Sequence, residues 1–129
     1  MFARLMGLAE ISPKELYARS QSEPLVIFDV NAEPRWLAAR VPGANHLDPL
    51  GFAASDLPAD RETALVFYCS NPLCRKAPNA ARRARGMGYR NVRVMSAGIS
   101  GWLKADLPTE SGQPATVPAQ AGSVSAKPS

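Results

Sequence analysis

The chain has 129 residues, which suits one domain, and 46% of them are hydrophobic, which is enough to build a core without metal or disulfide support. Two cysteines and one histidine give neither a disulfide framework nor the spacing of a zinc site, so we expect no metal, no cofactor and a reducing, cytoplasmic compartment. The net charge of +4 is scattered without aromatic stacking motifs, and no apolar run is long enough to cross a bilayer, so neither nucleic acid nor a membrane is an expected partner.

Signals for helices and strands alternate along most of the chain. Ser12, Pro13 and Glu15 form a capped helix start, and the apolar run at 25–28 is typical of a strand buried on both faces. In chain order we predict a helix from Ser12, a strand over 25–28 that ends at Asp29, a helix from Glu33, a turn over 41–44 into a short strand at 45–47, a loop over 48–60 with one helical turn, a strand over Ala64–Tyr68, a helix over 79–87, a strand over 92–95 and a helix over 98–105.

This alternation predicts an α/β domain with a parallel sheet and helices on both faces. Ligands of such sheets bind beyond the carboxyl ends of the strands, so we expect Cys69 and Asp29, which each close a strand, to face one crevice. Residues 1–10 are expected to be a lead-in, too short and too soon acidic for a signal peptide. The folded domain is expected over 11–108, and 109–129, rich in Pro, Ala, Gly and Ser, is expected to be a disordered tail.

The strongest functional signal is Cys69, a thiol placed where a strand leaves the sheet. A short loop follows it, and then Arg75 stands where a helix begins. Unpaired N–H groups at a helix start carry partial positive charge, and with a nearby guanidinium they lower the pKa of a thiol. We therefore expect Cys69 to be a nucleophilic thiolate beside an anion-binding loop. The alternative is a small buried hydrophobic residue, as isolated cysteines often are, but the loop and Arg75 favour the reactive interpretation.

Short motifs, in order and with similar spacing, resemble those of the rhodanese domain, the sulfurtransferase module, from about residue 11 to about residue 108. The motifs are Phe28-Asp29-Val30, Val41-Pro42-Gly43-Ala44, Val66-Phe67-Tyr68-Cys69, Gly88-Tyr89-Arg90-Asn91-Val92 and Ala97-Gly98-Ile99-Ser100-Gly101-Trp102. Each motif is short, and their common order makes the resemblance specific.

The resemblance implies a central parallel sheet of about five strands and covalent catalysis in two steps. Cys69 would attack the outer sulfur of a small anionic donor such as thiosulfate and hold it as a persulfide. A thiol, cyanide or a protein cysteine would then accept that sulfur. Ser70, Asn71, Leu73 and Cys74 would form the loop that binds the donor's oxygens or the transferred sulfur through N–H groups.

Charged residues around the loop are expected to assist. Arg75 would be the second catalytic residue, as the cation that closes the loop and activates the thiol. Asp29 either orients Arg75 and the loop or caps the next segment. Arg40, just before the turn at 41–44, either lines the pocket rim or is a solvated side chain. Asn31 stands where the family commonly has Arg, so any function carried by that Arg would be absent.

The loop also departs from the family. Five residues separate Cys69 from Arg75, one more than in the common sulfurtransferase loop, and this spacing resembles the phosphatases and arsenate reductases that share the fold. Phosphatase or arsenate reductase activity is therefore the first alternative. Tyr68 replaces the usual His of those phosphatases, the loop has no carboxylate to act as a general acid, and Pro72 removes one N–H. A non-catalytic binding module is the second alternative, which the presence of Cys69 disfavours.

Cys74 is a second thiol inside the same loop, five residues after Cys69. It would act as a resolving thiol if the loop brings the two cysteines close enough for a disulfide. The alternative is that Cys74 packs under the loop. The sequence leaves both interpretations open.

Overall fold

The protein is a parallel β-sheet with helices on both faces, shown by a computed structural model that describes residues 2–114. The predicted α/β class is confirmed. The helices are α1 (Phe2–Leu5), α2 (Pro13–Ser20), α3 (Glu33–Ala38), α4 (Lys76–Gly86) and α5 (Gly98–Lys104), with a 3-10 turn at Ala54–Asp56. The strands are β1 (Ala9–Glu10), β2 (Leu25–Asp29), β3 (Asn45–His46), β4 (Ala64–Tyr68) and β5 (Val92–Val94).

The sheet has five strands in the order β1-β5-β4-β2-β3, and every neighbouring pair is parallel. The central strand β4 pairs with β2 along its whole length, so that Asp29 lies opposite Tyr68. Because the strands are parallel, the carboxyl ends of β2 and β4 lie at one edge. The functional loop leaves the sheet from that edge.

Alternate residues of β4 enter two separate cores, as expected for a strand covered on both sides. Leu65 and Phe67 pack in the core beneath α1 and α4, whereas Val66 and Tyr68 pack in the core that also contains Trp102 of α5. Helix α4 approaches the sheet through small side chains, because its buried face carries Ala77, Ala80, Ala81 and Ala84.

The predicted helix starts are largely correct, with one informative difference. Ser12 caps α2 by accepting a hydrogen bond from the Glu15 N–H at 3.1 Å. Helix α4 begins at Lys76, three residues before the predicted start at 79. The predicted start excluded Pro78, but a proline fits in a first helical turn because the N–H it lacks has no partner there. The helix therefore begins directly after Arg75.

The first residues of the chain contribute more than the predicted lead-in. Ala9 pairs with Arg93, which makes β1 an edge strand of the same sheet. The side chains of Ala3 and Leu8 are buried in the core beneath α4. A two-residue strand has no measurable alternation in its sequence, which explains why neither α1 nor β1 was predicted.

Part of the predicted tail also packs on the domain. Glu110 and Arg40 exchange backbone hydrogen bonds of 2.9 Å in an antiparallel bridge, and the Gly112 N–H donates to the Leu37 carbonyl at 2.7 Å. Disorder from residue 109 is therefore incorrect for 109–114, because the backbone groups there have partners in the domain. The remaining part of the predicted tail, 115–129, lies outside the described residues.

Within residues 2–114, no helix combines the length and apolar character that crossing a membrane requires.

Candidate active site

Cys69 follows β4 directly and lies on the sheet face that packs against α4. The residue is only 3% exposed. It lines a narrow cleft together with Cys74 and residues from α1, the loop, α4 and the end of β5. The other lining residues are Phe2, Pro72, Ala77, Pro78, Val94, Met95 and Ser96. The two cysteines therefore share one cleft.

The start of α5 fixes the position of the loop. The N–H groups of Ile99 and Ser100 donate to the carbonyl oxygens of Cys69 and Ser70, at 2.9 and 3.0 Å. Gly98 permits this contact, because it has a φ of +68° and an added Cβ would lie 2.6 Å from the Ser70 carbonyl carbon. The close approach of two backbone segments therefore explains why this motif has a glycine at position 98.

Backbone N–H groups surround both sulfur atoms. Ala77, in the first turn of α4, and Ser70 donate to the Cys69 sulfur. Lys76 and Ser70 donate to the Cys74 sulfur, and the two thiol groups are close enough to hydrogen-bond to each other. The loop therefore holds a pair of sulfur atoms rather than one isolated thiol.

The electrostatics of this pair differ from the sequence-based expectation. Burial and, to a smaller extent, the hydrogen bond with Cys74 raise the pKa of Cys69 to about 12, because the N–H groups of Ala77 and Ser70 only partly oppose these effects. Burial also acts to raise the pKa of Cys74, but the hydrogen bond from Cys69 and the Lys76 N–H outweigh it and lower that pKa. These directions favour a negative charge on Cys74 and disagree with the prediction that Cys69 itself carries it.

Arg75 does not contact the cysteine pair. Its guanidinium carbon lies 4.6 Å from the centroid of the Phe2 ring, in a cation–π contact with α1. This geometry does not support the expectation that Arg75 lowers the pKa of Cys69, because an aromatic ring from an element that the sequence did not predict holds the guanidinium. A catalytic role for Arg75 stays a prediction.

A different arginine reaches the loop. Arg35 of α3, which is exposed, donates from Nη1 to Ser70 Oγ at 3.2 Å. The Ser70 hydroxyl in turn donates to Asn31 Oδ1 at 2.6 Å. The sequence analysis missed Arg35, and no spacing in the sequence relates a residue of α3 to the loop. Asn31 anchors the loop through this serine at the position where the family commonly has Arg.

Loop residues Asn71 and Leu73 have structural roles within the loop. The Asn71 side-chain oxygen accepts from the Leu73 N–H at 2.9 Å, and the Asn71 carbonyl accepts from the Cys74 N–H at 3.1 Å. Such Asx turns follow from asparagine's short side chain. The N–H groups of Leu73 and Cys74 are therefore engaged. The N–H groups that face the sulfur atoms come from Ser70, which was among the predicted loop residues, and from the first turn of α4.

Asp29 does not share the crevice of Cys69. Its buried carboxylate accepts from the Tyr68 hydroxyl at 2.7 Å and from the Asn31 N–H at 2.8 Å. Tyr68 lies on the sheet face opposite to Cys69, because neighbouring residues of a strand point in opposite directions. Of the two roles left open for Asp29, the structure shows the capping of the next segment. Burial raises the pKa of Asp29, against the lowering effect of the Tyr68 hydrogen bond.

Arg40 also lies away from the cysteine pair. It is 3% exposed, its guanidinium lies 4.2 Å from the Trp36 ring centroid, and its Nε is 3.7 Å from Glu110 Oε1. Both expectations for Arg40 are incorrect, because it neither lines the rim of the Cys69 cleft nor extends into solvent. Its guanidinium instead links Glu110 to Trp36 of α3.

Among residues 2–114, no cluster of three or more His, Cys, Asp or Glu side chains could hold a metal ion.

A parallel sheet with a cysteine directly after its central strand, surrounded by N–H groups of a loop and a helix start, is the arrangement of the rhodanese fold. The family model of the Rhodanese-like domain matches residues 12–105. The chain therefore belongs to the rhodanese-like family, which confirms the resemblance found in the sequence.

Curated relatives include two kinds of protein. An HTH-type transcriptional regulator from Mycobacterium tuberculosis is 32% identical over 116 residues, which cover 87% of this chain and 50% of the regulator. The chain thus spans half the length of that relative. The thiosulfate sulfurtransferase GlpE from Haemophilus influenzae is 27% identical over 105 residues, which cover 81% of this chain and 97% of GlpE.

Solved structures share the fold at low identity. A protein from Bacillus halodurans superposes with a TM-score of 0.74 at 21% identity, covering 85% of this chain and 83% of that one. A possible tyrosine phosphatase from Rhodopseudomonas palustris superposes with a TM-score of 0.65 at 22% identity, covering 84% and 88%. At these identities the likeness shows the fold alone.

Proposed function

We propose that the protein is a thiosulfate sulfurtransferase in which Cys69 carries the transferred sulfur as a persulfide. The observation that carries the proposal is the position of Cys69, directly after the central strand with its sulfur facing the N–H groups of Ser70 and Ala77. The similarity to GlpE over 97% of that enzyme's length supports the same reaction class. These N–H groups can stabilise negative charge on the transferred sulfur.

The first step requires Cys69 to lose its proton, and its high pKa makes a nearby proton acceptor necessary. Cys74 is that acceptor, because its sulfur hydrogen-bonds to Cys69 and its lowered pKa makes more of it an unprotonated thiolate that can take the proton. As the proton moves to Cys74, the Cys69 sulfur attacks the outer sulfur of thiosulfate. The sulfur–sulfur bond of thiosulfate breaks, and sulfite leaves with the bonding electron pair. In the second step a thiol, cyanide or a protein cysteine attacks the outer sulfur of the persulfide, and Cys69 is regenerated.

Arg35 supplies a cation for the donor's sulfonate oxygens. Its guanidinium is exposed, and its hydrogen bond to Ser70 holds it beside the start of the loop. A guanidinium can donate to several oxygens at once, which suits a sulfonate. Arg75 would assist only if its guanidinium left the Phe2 ring when the donor binds.

The phosphatase or arsenate reductase alternative receives less support from the site. A phosphate ester must bring its central phosphorus to the Cys69 sulfur, whereas thiosulfate needs to bring only its outer sulfur there. The Cys74 side chain lines the same narrow cleft as Cys69 and limits the room for a whole tetrahedral group. The loop sequence has no carboxylate, and Pro72 has no N–H to donate. The likeness to a possible tyrosine phosphatase extends to the fold alone. We therefore propose sulfur transfer rather than hydrolysis of a phosphate ester.

Sulfite release from thiosulfate and sulfur transfer to cyanide test the proposal. The protein is incubated anaerobically with thiosulfate, released sulfite is quantified, and wild type is compared with Cys69→Ser. We expect sulfite release that depends on Cys69, and sulfur transfer to cyanide that Cys69→Ser abolishes. Hydrolysis of an aryl phosphate without sulfite release would contradict the proposal and favour a phosphatase, and inertness in both assays would favour a binding module.

Kinetics of arginine variants test the donor site. We expect Arg35→Ala to raise KM for thiosulfate about tenfold, since a hydrogen bond to a charged group contributes roughly 1.5 kcal/mol. Arg90→Ala is the matched control, because Arg90 is exposed and its Nε lies 3.7 Å from Glu62. Arg75→Ala separates the two arginines. An unchanged KM for thiosulfate in Arg75→Ala would assign Arg75 a structural role. A rise in KM as large as that of Arg35→Ala would show that the Arg75 guanidinium leaves the Phe2 ring when the donor binds.

The proposal extends to the partners and the compartment. The donor would be a small sulfur-containing anion, and the acceptor a nucleophile small enough to reach the cleft or a cysteine on an exposed protein segment. Both cysteines are unpaired thiols in the described part of the chain, which supports the proposed reducing, cytoplasmic compartment.

A further inference from the structure

The second thiol of the pair has a position that proton transfer alone does not require. Cys74 is hydrogen-bonded to Cys69, lines the same cleft and is partly exposed, whereas Cys69 is 3% exposed. The backbone turn from Asn71 to Cys74, closed by a 3.1 Å hydrogen bond, folds the loop back, and both cysteines line one cleft. After sulfur transfer, a nucleophile beside the Cys69 sulfur is therefore within the same loop.

We propose that Cys74 resolves the Cys69 persulfide by attacking the Cys69 sulfur, which forms a Cys69–Cys74 disulfide and releases the transferred sulfur as sulfide. This inference rests on the proposed function, because it needs the persulfide as its starting point. It assigns Cys74 a catalytic role in converting thiosulfate to sulfite and sulfide, in addition to transfer of sulfur to an external acceptor.

The atoms and charges of this step balance. The Cys69 persulfide anion and the Cys74 thiol give the disulfide and one hydrosulfide anion, and the proton of Cys74 leaves with the departing sulfur. The bond between the two sulfur atoms of the persulfide breaks, and the bond between Cys69 and Cys74 forms. The two cysteines are oxidised and the transferred sulfur is reduced. A further turnover requires a thiol or dithiol reductant, which restores both cysteines.

Geometry selects the sulfur that Cys74 attacks. In the thiol form, Cys74 already contacts the inner sulfur, which is the Cys69 sulfur itself. The outer sulfur of the persulfide projects one bond further and is the atom that an external acceptor reaches from the cleft. The lowered pKa of Cys74 supports its role as the attacking group, since the thiolate is the nucleophile in thiol–disulfide exchange.

A single-turnover experiment without reductant tests the inference. Wild type, Cys74→Ser, Cys74→Ala and Cys69→Ser are mixed anaerobically with thiosulfate, and sulfite and sulfide are both quantified. Remaining thiols are alkylated in denaturant before intact-mass analysis. We expect wild type to release sulfite and sulfide in equal amounts and to lose two hydrogens, with neither cysteine alkylated. We expect the Cys74 variants to release sulfite more slowly than wild type, because Cys74 accepts the Cys69 proton, but to release no sulfide and to retain one sulfur atom on Cys69.

The outcomes separate this inference from the function on which it rests. If no variant with Cys69 releases sulfite, the proposed sulfurtransferase function fails. If wild type releases sulfite but retains the extra sulfur as stably as Cys74→Ser, the function stands and the resolving role is refuted. A persulfide on Cys74 in peptide maps of wild type would also refute attack on the inner sulfur. Thermal melts check that the variants fold. If both Cys74 variants are unfolded, the sulfide yield and the disulfide map of wild type still decide whether Cys74 resolves the persulfide. A sample without thiosulfate controls for oxidation by residual air.

Discussion

A methyl group at Gly98 is expected to displace the cysteine loop, because Gly98 lies directly against the backbone of that loop. In Gly98→Ala the new Cβ would lie 2.6 Å from the Ser70 carbonyl carbon and 2.7 Å from both the Ser70 oxygen and the Asn71 nitrogen. These neighbours are backbone atoms, which cannot rotate away. Restoring van der Waals contact at roughly 3.5 Å or more therefore requires the two segments to separate by about 1 Å.

The expected cost has two parts. The left-handed φ of +68° costs about 1–2 kcal/mol for a residue with a side chain. Separation also weakens the hydrogen bonds from Ile99 and Ser100 to the loop carbonyls, at about 1 kcal/mol each. We expect Gly98→Ala to lower the free energy of unfolding by roughly 3 kcal/mol. A displacement of about 1 Å at the reactive group is also expected to lower the rate of sulfur transfer about a hundredfold.

Gly43→Ala is the matched control. Gly43 has a φ of +81°, but no atom lies within 4 Å of an added Cβ, so this variant has the backbone strain without the clash. Urea unfolding monitored by tryptophan fluorescence gives the stability of both variants. Transfer of sulfur from thiosulfate to cyanide gives their rates, measured under conditions where both variants are folded. Equal stability and equal rates for Gly98→Ala and Gly43→Ala would refute the argument that α5 positions the loop.

Further predictions concern the thiol pair and the buried hydrogen bond beneath the sheet edge. Near neutral pH, iodoacetamide is expected to modify Cys74 faster than Cys69, because the pKa of Cys74 is lowered and that of Cys69 is raised. Peptide mass mapping across the pH range checks the order, and faster modification of Cys69 at neutral pH would contradict the assignment of the charge. Tyr68→Phe is expected to lower stability by about 2–4 kcal/mol, since it leaves the buried Asp29 carboxylate and the Val41 N–H without this hydroxyl. The pKa of Asp29 in the folded protein is already raised, so ionisation of this carboxyl as the pH rises lowers the free energy of unfolding. Loss of the Tyr68 hydrogen bond raises this pKa further. The destabilisation, measured by urea unfolding, should therefore be larger near pH 7 than near pH 4, and an equal loss at both would show that the carboxyl does not depend on this hydroxyl.

The sequence predicted the fold because the central strands carry strong local signals. The apolar runs of β2 and β4 are long enough to distinguish buried strands, and the capped start of α2 is a local interaction among neighbouring residues. Helix α1 and strand β1 were missed because each is too short to show a period, and their stability comes from long-range packing and pairing with β5.

The site was predicted in its location but not in its electrostatics. The position of Cys69 follows from the order of strand, loop and helix, which local patterns indicate. The direction of a long side chain does not follow from such patterns. Arg75 turned to Phe2, and Arg35 reached Ser70 from a helix 35 residues earlier in the chain. The burial that raises the pKa of Cys69 depends on the whole fold, and no local pattern reports it.

Phe2 has a consequence for anyone who modifies the protein. Its ring lines the cleft of the two cysteines and holds Arg75, so an affinity tag or fluorescent label attached ahead of it would emerge beside the reactive sulfur atoms. Such an attachment would change what can reach them, and a label intended to be silent would alter the measured chemistry.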